Sequence, residues 1–216
     1  MKNLRFLALI LAAFLIFGFA AEKTYDSKSA WKQLYPKIMK QIKAPVINGA
    51  TYNIADYGAV PDDPVFLNHK VINSTIALCS SKGGGTVMIP KGTWYTGPVV
   101  MKSNVDLHIS EGAVLLFSDD IDQYPTVLTR WEGMDCYNTS PMIYAYEQQN
   151  IAITGKGTID GGSSVKNWWG MRRLAAVPGK EMRGRPLLMD WNEKGTPVEK
   201  RIMGKGDNMR PQLINF

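Results

Sequence analysis

Carboxylates, histidines, thiols and sugar-stacking aromatics are the side chains here that can do chemistry, and their spacing narrows what each can do. Two acidic pairs stand adjacent in the sequence, Asp62-Asp63 and Asp119-Asp120. Paired carboxylates are the machinery of acid–base hydrolysis. Both pairs, however, sit among turn-forming residues. Asp62-Asp63 lies between Pro61 and Pro64, and Asp119-Asp120 shares its stretch with Asp122, Pro125 and Gly133. Solvated turns are the reading for both. His69 falls on helical spacing and His108 inside a strand pattern, so both are assigned to structure. Cys79 and Cys136 match no zinc spacing. They are expected as buried thiols, with pairing after export as the alternative. No catalytic residue is assigned, and no metal or cofactor is expected.

Candidate substrate contacts remain in Arg130, Trp131 and Glu132, which precede Gly133, and in the pair Trp168-Trp169. An exposed tryptophan can stack on a sugar ring, and an arginine can pair with a carboxylate through two parallel hydrogen bonds. Lys180, Arg183, Arg185, Lys200, Arg201 and Lys205 form a basic run that can attract an acidic polymer. A solvated face is the preferred reading of that run.

The elements that must position these residues follow from composition and period. The chain has 216 residues and is 45% hydrophobic, a globular composition with room for one sizeable core. Lys2 and Arg5 precede an apolar run from Phe6 to Phe19, and Gly18 and Ala20 supply the small residues of a cleavage site. Residues 1–20 therefore read as a secretory signal peptide, which predicts export to the periplasm or beyond the cell. The run is shorter than the roughly 20 residues a spanning helix needs, so no membrane partner is expected once it is removed. Without Lys2 and Arg5 the formal balance falls from 25 − 19 = +6 to 23 − 19 = +4, a mild basicity that suits a polyanion. The base-reading motifs of nucleic-acid binders are absent, so no nucleic-acid partner is expected.

Residues 21–50 read as an extension, with Trp31, Leu34, Ile38 and Ile42 at the spacing of a short amphipathic helix. The domain is placed at 51–216. An apolar stripe of Val65, Val71, Ile72, Thr75, Ile76 and Cys79 predicts a helix over 65–82, stopped by Gly83-Gly84-Gly85. Short β-rich strings then alternate with turns. Val99–Met101, Asn104–Leu107 and Val114-Leu115 are matched, about 45 residues later, by Met142–Tyr144, Asn150–Ile153 and Thr158-Ile159. Three short strands per coil, recurring, signal a solenoid. The excess length is assigned to one inserted loop, Ser118–Ser140. The expected fold is all-β: a right-handed parallel β-helix, with the 65–82 helix capping the open end of the stack. Gln212–Phe216 looks like the start of a further strand, so the chain is expected to be truncated at its C-terminal end.

Several strings resemble the polygalacturonases, family 28 of the glycoside hydrolases. Asp56-Tyr57-Gly58-Ala59-Val60-Pro61-Asp62 is similar to the family's opening. Gly83–Trp94, Thr96–Val105, Glu111–Phe117, Ser140–Ala145 and Asn150–Gly161 follow in the family's order, and the likeness resumes at Arg210–Phe216. The resemblance spans about residues 52–162 and implies inverting hydrolysis of α-linked galacturonan by aspartates. Inversion requires carboxyls about 6.5–9.5 Å apart, leaving room for a water. The family's NTD, GDD, GHG and RIK motifs do not occur in this sequence. The resemblance therefore implies the N-terminal portion of such an enzyme, inactive alone, acting on pectic polysaccharide or oligogalacturonide as a monomer when complete. Pro64-Val65-Phe66-Leu67 departs from the common opening and resembles an exo-type bacterial branch. A non-catalytic carbohydrate-binding β-helix or decayed enzyme is the alternative. A lyase on the same fold is disfavoured, because no acidic cluster suited to Ca²⁺ is visible on a strand face.

Overall fold

The computed structural model describes residues 26–171 and 184–216. The leader reading at 1–20 and the basic residues Lys180 and Arg183 lie outside the described residues. The chain divides into two compact units at Ala44/Pro45. In the first, helix α1 (Ser27–Gln41) is started by Asp26, whose carboxylate accepts from the backbone N–H groups of Lys28 and Ser29 at 2.8 and 2.9 Å. No residue of α1 is buried.

The second unit is a parallel β-helix. Strands β1 (Ala50–Asn53), β2 (Gly85–Ile89), β5 (Val105–Ile109) and β10 (Ala152–Gly155) stack in parallel as one sheet. A second sheet stacks β3 (Gly92–Thr96), β6 (Ala113–Phe117) and β11 (Thr158–Asp160). The third stacks β4 (Val99–Val100), β9 (Ile143–Tyr144) and β12 (Ile214–Asn215). Strand alternation sends every second side chain inward. Val87, Leu107 and Ile153 therefore share one inward column, and Trp94, Leu115 and Ile159 another. The predicted repeat appears in the register. Val99 pairs with Ile143 (143 − 99 = 44), Asp106 with Ala152 (152 − 106 = 46) and Val114 with Thr158 (158 − 114 = 44).

Asn104 and Asn150 make the turn between the third sheet and the first. Both have left-handed backbone, φ 64° and 55°, which asparagine tolerates better than most residues. Asn150 Nδ2 donates to Asn104 Oδ1 at 2.9 Å, and the same amide clasps Val46 through both its backbone groups at 3.0 and 3.1 Å. At Gly155 only glycine fits: φ is 102°, and a side chain there would run into the carbonyl of Ile109.

The predicted helix is present but shorter. Helix α2 spans His69–Ser81, and Val65 is 88% exposed in the turn before it. Asn68 explains the later start. It is fully buried, its side chain accepts from Val60 N–H at 2.8 Å and donates to the carbonyls of Val60 and Tyr95, and this locks the entry chain in a non-helical path. Ile72, Thr75, Ile76 and Cys79 turn into the core. His69 takes a backbone N–H from Gly97 at 3.3 Å, and its pKa is lowered by burial and by neighbouring Lys70.

The insertion differs from the expected loop. It holds an antiparallel hairpin, β7 (Thr126–Trp131) and β8 (Met134–Thr139), closed by Glu132 and Gly133 at φ 47° and 85°. Positive φ at both central residues is the turn that matches strand twist. Glu-Gly lacks the familiar Asn-Gly or Asp-Gly signature, which is why pattern reading passes over it. Beyond Gly162 the described residues include the helices α3 (Trp168–Met171) and α4 (Arg185–Glu193). Both cysteines are buried and free. Cys136 lies in a small second core with Leu188, Met203 and Met209, and burial pushes its thiol up to about 11.

Candidate functional site

The hairpin stands beside the third sheet and is fastened to it by polar side chains. Tyr144 of β9 donates its hydroxyl to the Leu128 carbonyl at 2.6 Å. Gln212 accepts from Thr129 Oγ1 at 3.0 Å and donates to the Arg130 carbonyl at 2.8 Å. Asn215 of β12 completes the clasp by donating to Gln212 Oε1 and Thr129 Oγ1 at 2.5 and 3.2 Å. On its other side β8 pairs with the chain after α4, where Met203 N–H donates to the Tyr137 carbonyl at 2.8 Å.

Two hollows flank this clasp. One, of about 340 Å³, is lined by Thr129, Arg130, Asp135, Tyr144, Tyr146 and Asn215 among others. Arg130 reaches across the hairpin to its register partner Asp135, with hydrogen bonds of 2.7 and 3.2 Å. Those bonds hold the Asp135 carboxyl below its ordinary range and raise the guanidinium further. The pair is solvent-facing, with side chains 64% and 45% exposed, so it is weak enough in water to exchange partners. The hollow thus brings together the rings of Tyr144 and Tyr146, the Arg130 guanidinium, the Asn215 amide and the carboxylates of Asp135 and Glu147.

The second hollow, about 330 Å³, is lined by Trp131, Met142, Ser163, Trp168, Trp169 and Arg210 among others. It therefore collects the three tryptophans singled out from sequence, but they do different things. Trp169 is 55% exposed and offers a ring face. Trp168 is buried, donates to the Gly161 carbonyl at 3.2 Å and meets Tyr124 edge-on at 5.8 Å, so it backs the hollow. Trp131 is half-buried, and its indole N–H has no partner among the described residues. Glu132 faces away to pair with Arg185 at 2.6 Å.

The acidic pairs are occupied by structure. Asp62 accepts the Thr93 N–H at 2.8 Å, and Asp63 accepts the Val65 N–H at 2.9 Å. Asp119 accepts from Asn167 at 2.8 Å, and Asp120 caps a short 3₁₀ turn at Ile121–Gln123. His108 bonds Thr154 Oγ1 at 2.8 Å on the outer face of the first sheet. The described members of the basic run stand in different settings, and Lys200 is exposed. Arg185 pairs with Glu132, Lys205 with Asp122 at 2.5 Å, and Arg201 is buried.

Tyr144, Thr129, Gln212 and Asn215 were not anticipated. Asn215 pairs with Tyr144 in register across 215 − 144 = 71 residues. An alignment of Ile143-Tyr144 with Ile214-Asn215 would have found the pair, but the insertions hide that spacing.

No family model matches the chain. An exo-poly-alpha-D-galacturonosidase of Dickeya chrysanthemi is 32% identical over 117 residues, covering 50% of this chain and 19% of that protein. The solved structure of a hyperthermoactive exopolygalacturonase from Thermotoga maritima matches with a TM-score of 0.74 and 36% identity, over 83% of this chain and 41% of that one. The chain resembles the polygalacturonases in sequence and in fold. An exopolygalacturonase of Platanus acerifolia is similar at 26% identity over 115 residues, covering 53% of this chain and 27% of that protein. The chain spans less than half the length of each of these relatives.

Proposed function

We propose that the chain is a portion of an exported, pectin-active glycoside hydrolase, and that it binds galacturonan along the clasped hairpin. The observation that carries this reading is the extent of the likeness to an exopolygalacturonase, 36% identity at a TM-score of 0.74. Arg130 is the uronate anchor in this reading, exchanging Asp135 for a substrate carboxylate, and Trp169 is the stacking platform. Among the described residues no helix is long and apolar enough to cross a membrane, and residues 1–20 are read as the export leader. The coil is read as right-handed, the hand that parallel crossover connections adopt in about 98% of cases. Helix α2 is read as its cap, because its apolar stripe enters the core beside β2.

Hydrolysis by inversion is the reaction class, but no residue of this chain is assigned as its acid or base. The complete enzyme is read as a monomer. In the test, the purified chain is titrated with oligogalacturonides by calorimetry and assayed for reducing-sugar release from polygalacturonate. Binding without hydrolysis is expected, with Arg130→Ala weakening affinity about tenfold, the scale of one charge-assisted contact. Turnover by the chain alone, or affinity unmoved by Arg130→Ala, would overturn the assignment. The alternative, a non-catalytic carbohydrate-binding β-helix or decayed enzyme, is favoured only if neutral glucans compete equally with the acidic oligomer.

A further inference from the structure

Helix α1 and the residues just after it are strongly basic. Lys28, Lys32, Lys37, Lys40 and Lys43 fall in one short stretch that contains no acidic residue. The full chain has a formal net charge of +6, and without these five lysines the balance is 6 − 5 = +1. Residues 45–216 hold 17 basic and 17 acidic side chains, so the surplus lies in residues 1–44 and not on the β-helix.

The same helix exposes an apolar face. At 3.6 residues per turn, Trp31, Leu34, Tyr35, Ile38 and Met39 lie within an arc of about 140°, continued by Ile42 at the C-cap. Lys37 and Lys40 point away from that arc, and Lys28 and Lys32 follow one of its borders. Trp31, Ile38 and Ile42 are 68%, 55% and 60% exposed. Trp31 and Tyr35 stack at 4.6 Å with rings nearly parallel, forming one broad amphipathic slab on that face. Pro36 stands inside the helix with its ring outside that arc.

We infer that α1 is an interfacial helix that lies on an anionic lipid surface, with the Trp31–Ile42 face in the headgroup boundary and the lysines at the phosphates. A basic polar face opposite large aliphatic and aromatic side chains is the pattern of such helices. Ring systems with one polar edge favour that boundary. Charge complementarity selects an anionic surface, and the aliphatic half of the face selects lipid over an acidic polysaccharide, which offers Ile38, Met39 and Ile42 nothing to bury against. The contact is peripheral. It replaces the expectation of no membrane partner with surface attachment by one helix, and it does not depend on the carbohydrate reading.

The test uses the full chain on vesicles of phosphatidylcholine with about one quarter phosphatidylglycerol, and on phosphatidylcholine alone. Lipids brominated along the acyl chains report depth. The Trp31 contribution is read as the difference between the chain and Trp31→Phe, which separates α1 from any binding by the apolar leader. Quenching of Trp31 is expected on the anionic vesicles only, weakening as salt rises. Ile38→Asp and, separately, Lys32→Glu with Lys40→Glu should each cut that signal about tenfold or more, with the unfolding midpoint of the β-helix unchanged. Equal quenching on neutral vesicles would overturn the inference. So would a Trp31 signal indifferent to the paired lysine changes, or loss of affinity for soluble polygalacturonate in those variants without any effect on vesicles.

Discussion

Inward positions in the coil and in the inserted region are filled by different kinds of residue. The coil stacks aliphatic on aliphatic at a fixed register, Val87 on Leu107 on Ile153, and the inner strands alternate buried and half-buried residues along their length. The insertion gathers Cys136, Leu188, Met203 and Met209, with Trp131, Met134 and Trp191 packed against them, and it buries Arg201, Asn138 and Thr139 as well. Adaptable methionines and the hydrogen-bonded guanidinium of Arg201 fill a shape that no repeat specifies. The hollows open beside the irregular region. Regular stacking supplies stiffness, and the insertion supplies donors and ring faces on top of it.

Substitutions can break that contrast. Leu107→Ala removes the fully buried middle member of that column and should cost about 3 kcal/mol. Urea unfolding should show the loss as a lower midpoint for the whole β-helix, because each rung is packed between its neighbours. A loss confined to the hairpin would mean the two regions are not ranked as described. Arg201→Met should cost less, about 1–3 kcal/mol, by leaving the Thr196 carbonyl and Asn192 Oδ1 without the donors that reach them at 2.7 and 3.1 Å. Hydrogen exchange should then accelerate across α4 and β8 while β2 and β5 stay protected.

The smallest effect concerns acid. The Asp135 carboxyl is held below its ordinary value, first by its hydrogen bond from Arg130. A lowered folded pKa means that its contribution to stability is present above the unfolded value, near 3.9, and is lost as pH falls through the folded value. Because the pair is largely exposed the contribution is slight. Asp135→Asn should flatten the acid limb of the hairpin's stability curve without moving the neutral plateau. An unchanged acid limb would show that the ion pair does no more than solvent does.

The coil was legible in advance because its period is local. Asn104 and Asn150 announce the turn, and the strings after them repeat with nearly constant offset, so the register follows from counting. Helix α2 was visible from its apolar stripe, but its first turn was misplaced. Val65 continues the spacing, while the buried amide of Asn68 ties the chain to Val60 and Tyr95, partners that only the fold brings near. Arg130, Trp131 and Trp169 were legible as side chains suited to sugars. That Trp168 packs inward while Trp169 does not was hidden, since adjacent residues on one short helix differ only in what lies opposite them.

The amino-acid sequence on its own determined the repeating coil, the amphipathic character of α1 and the likeness to polygalacturonases, because each resides in spacing along the chain. Tertiary structure alone decided that Thr129, Tyr144, Gln212 and Asn215 meet, that Arg130 faces Asp135 beside them, and that Arg185 and Lys205 are paired and Arg201 is buried. Such contacts join residues separated by long insertions, and a hydrogen bond depends on distance in space, not on distance along the chain.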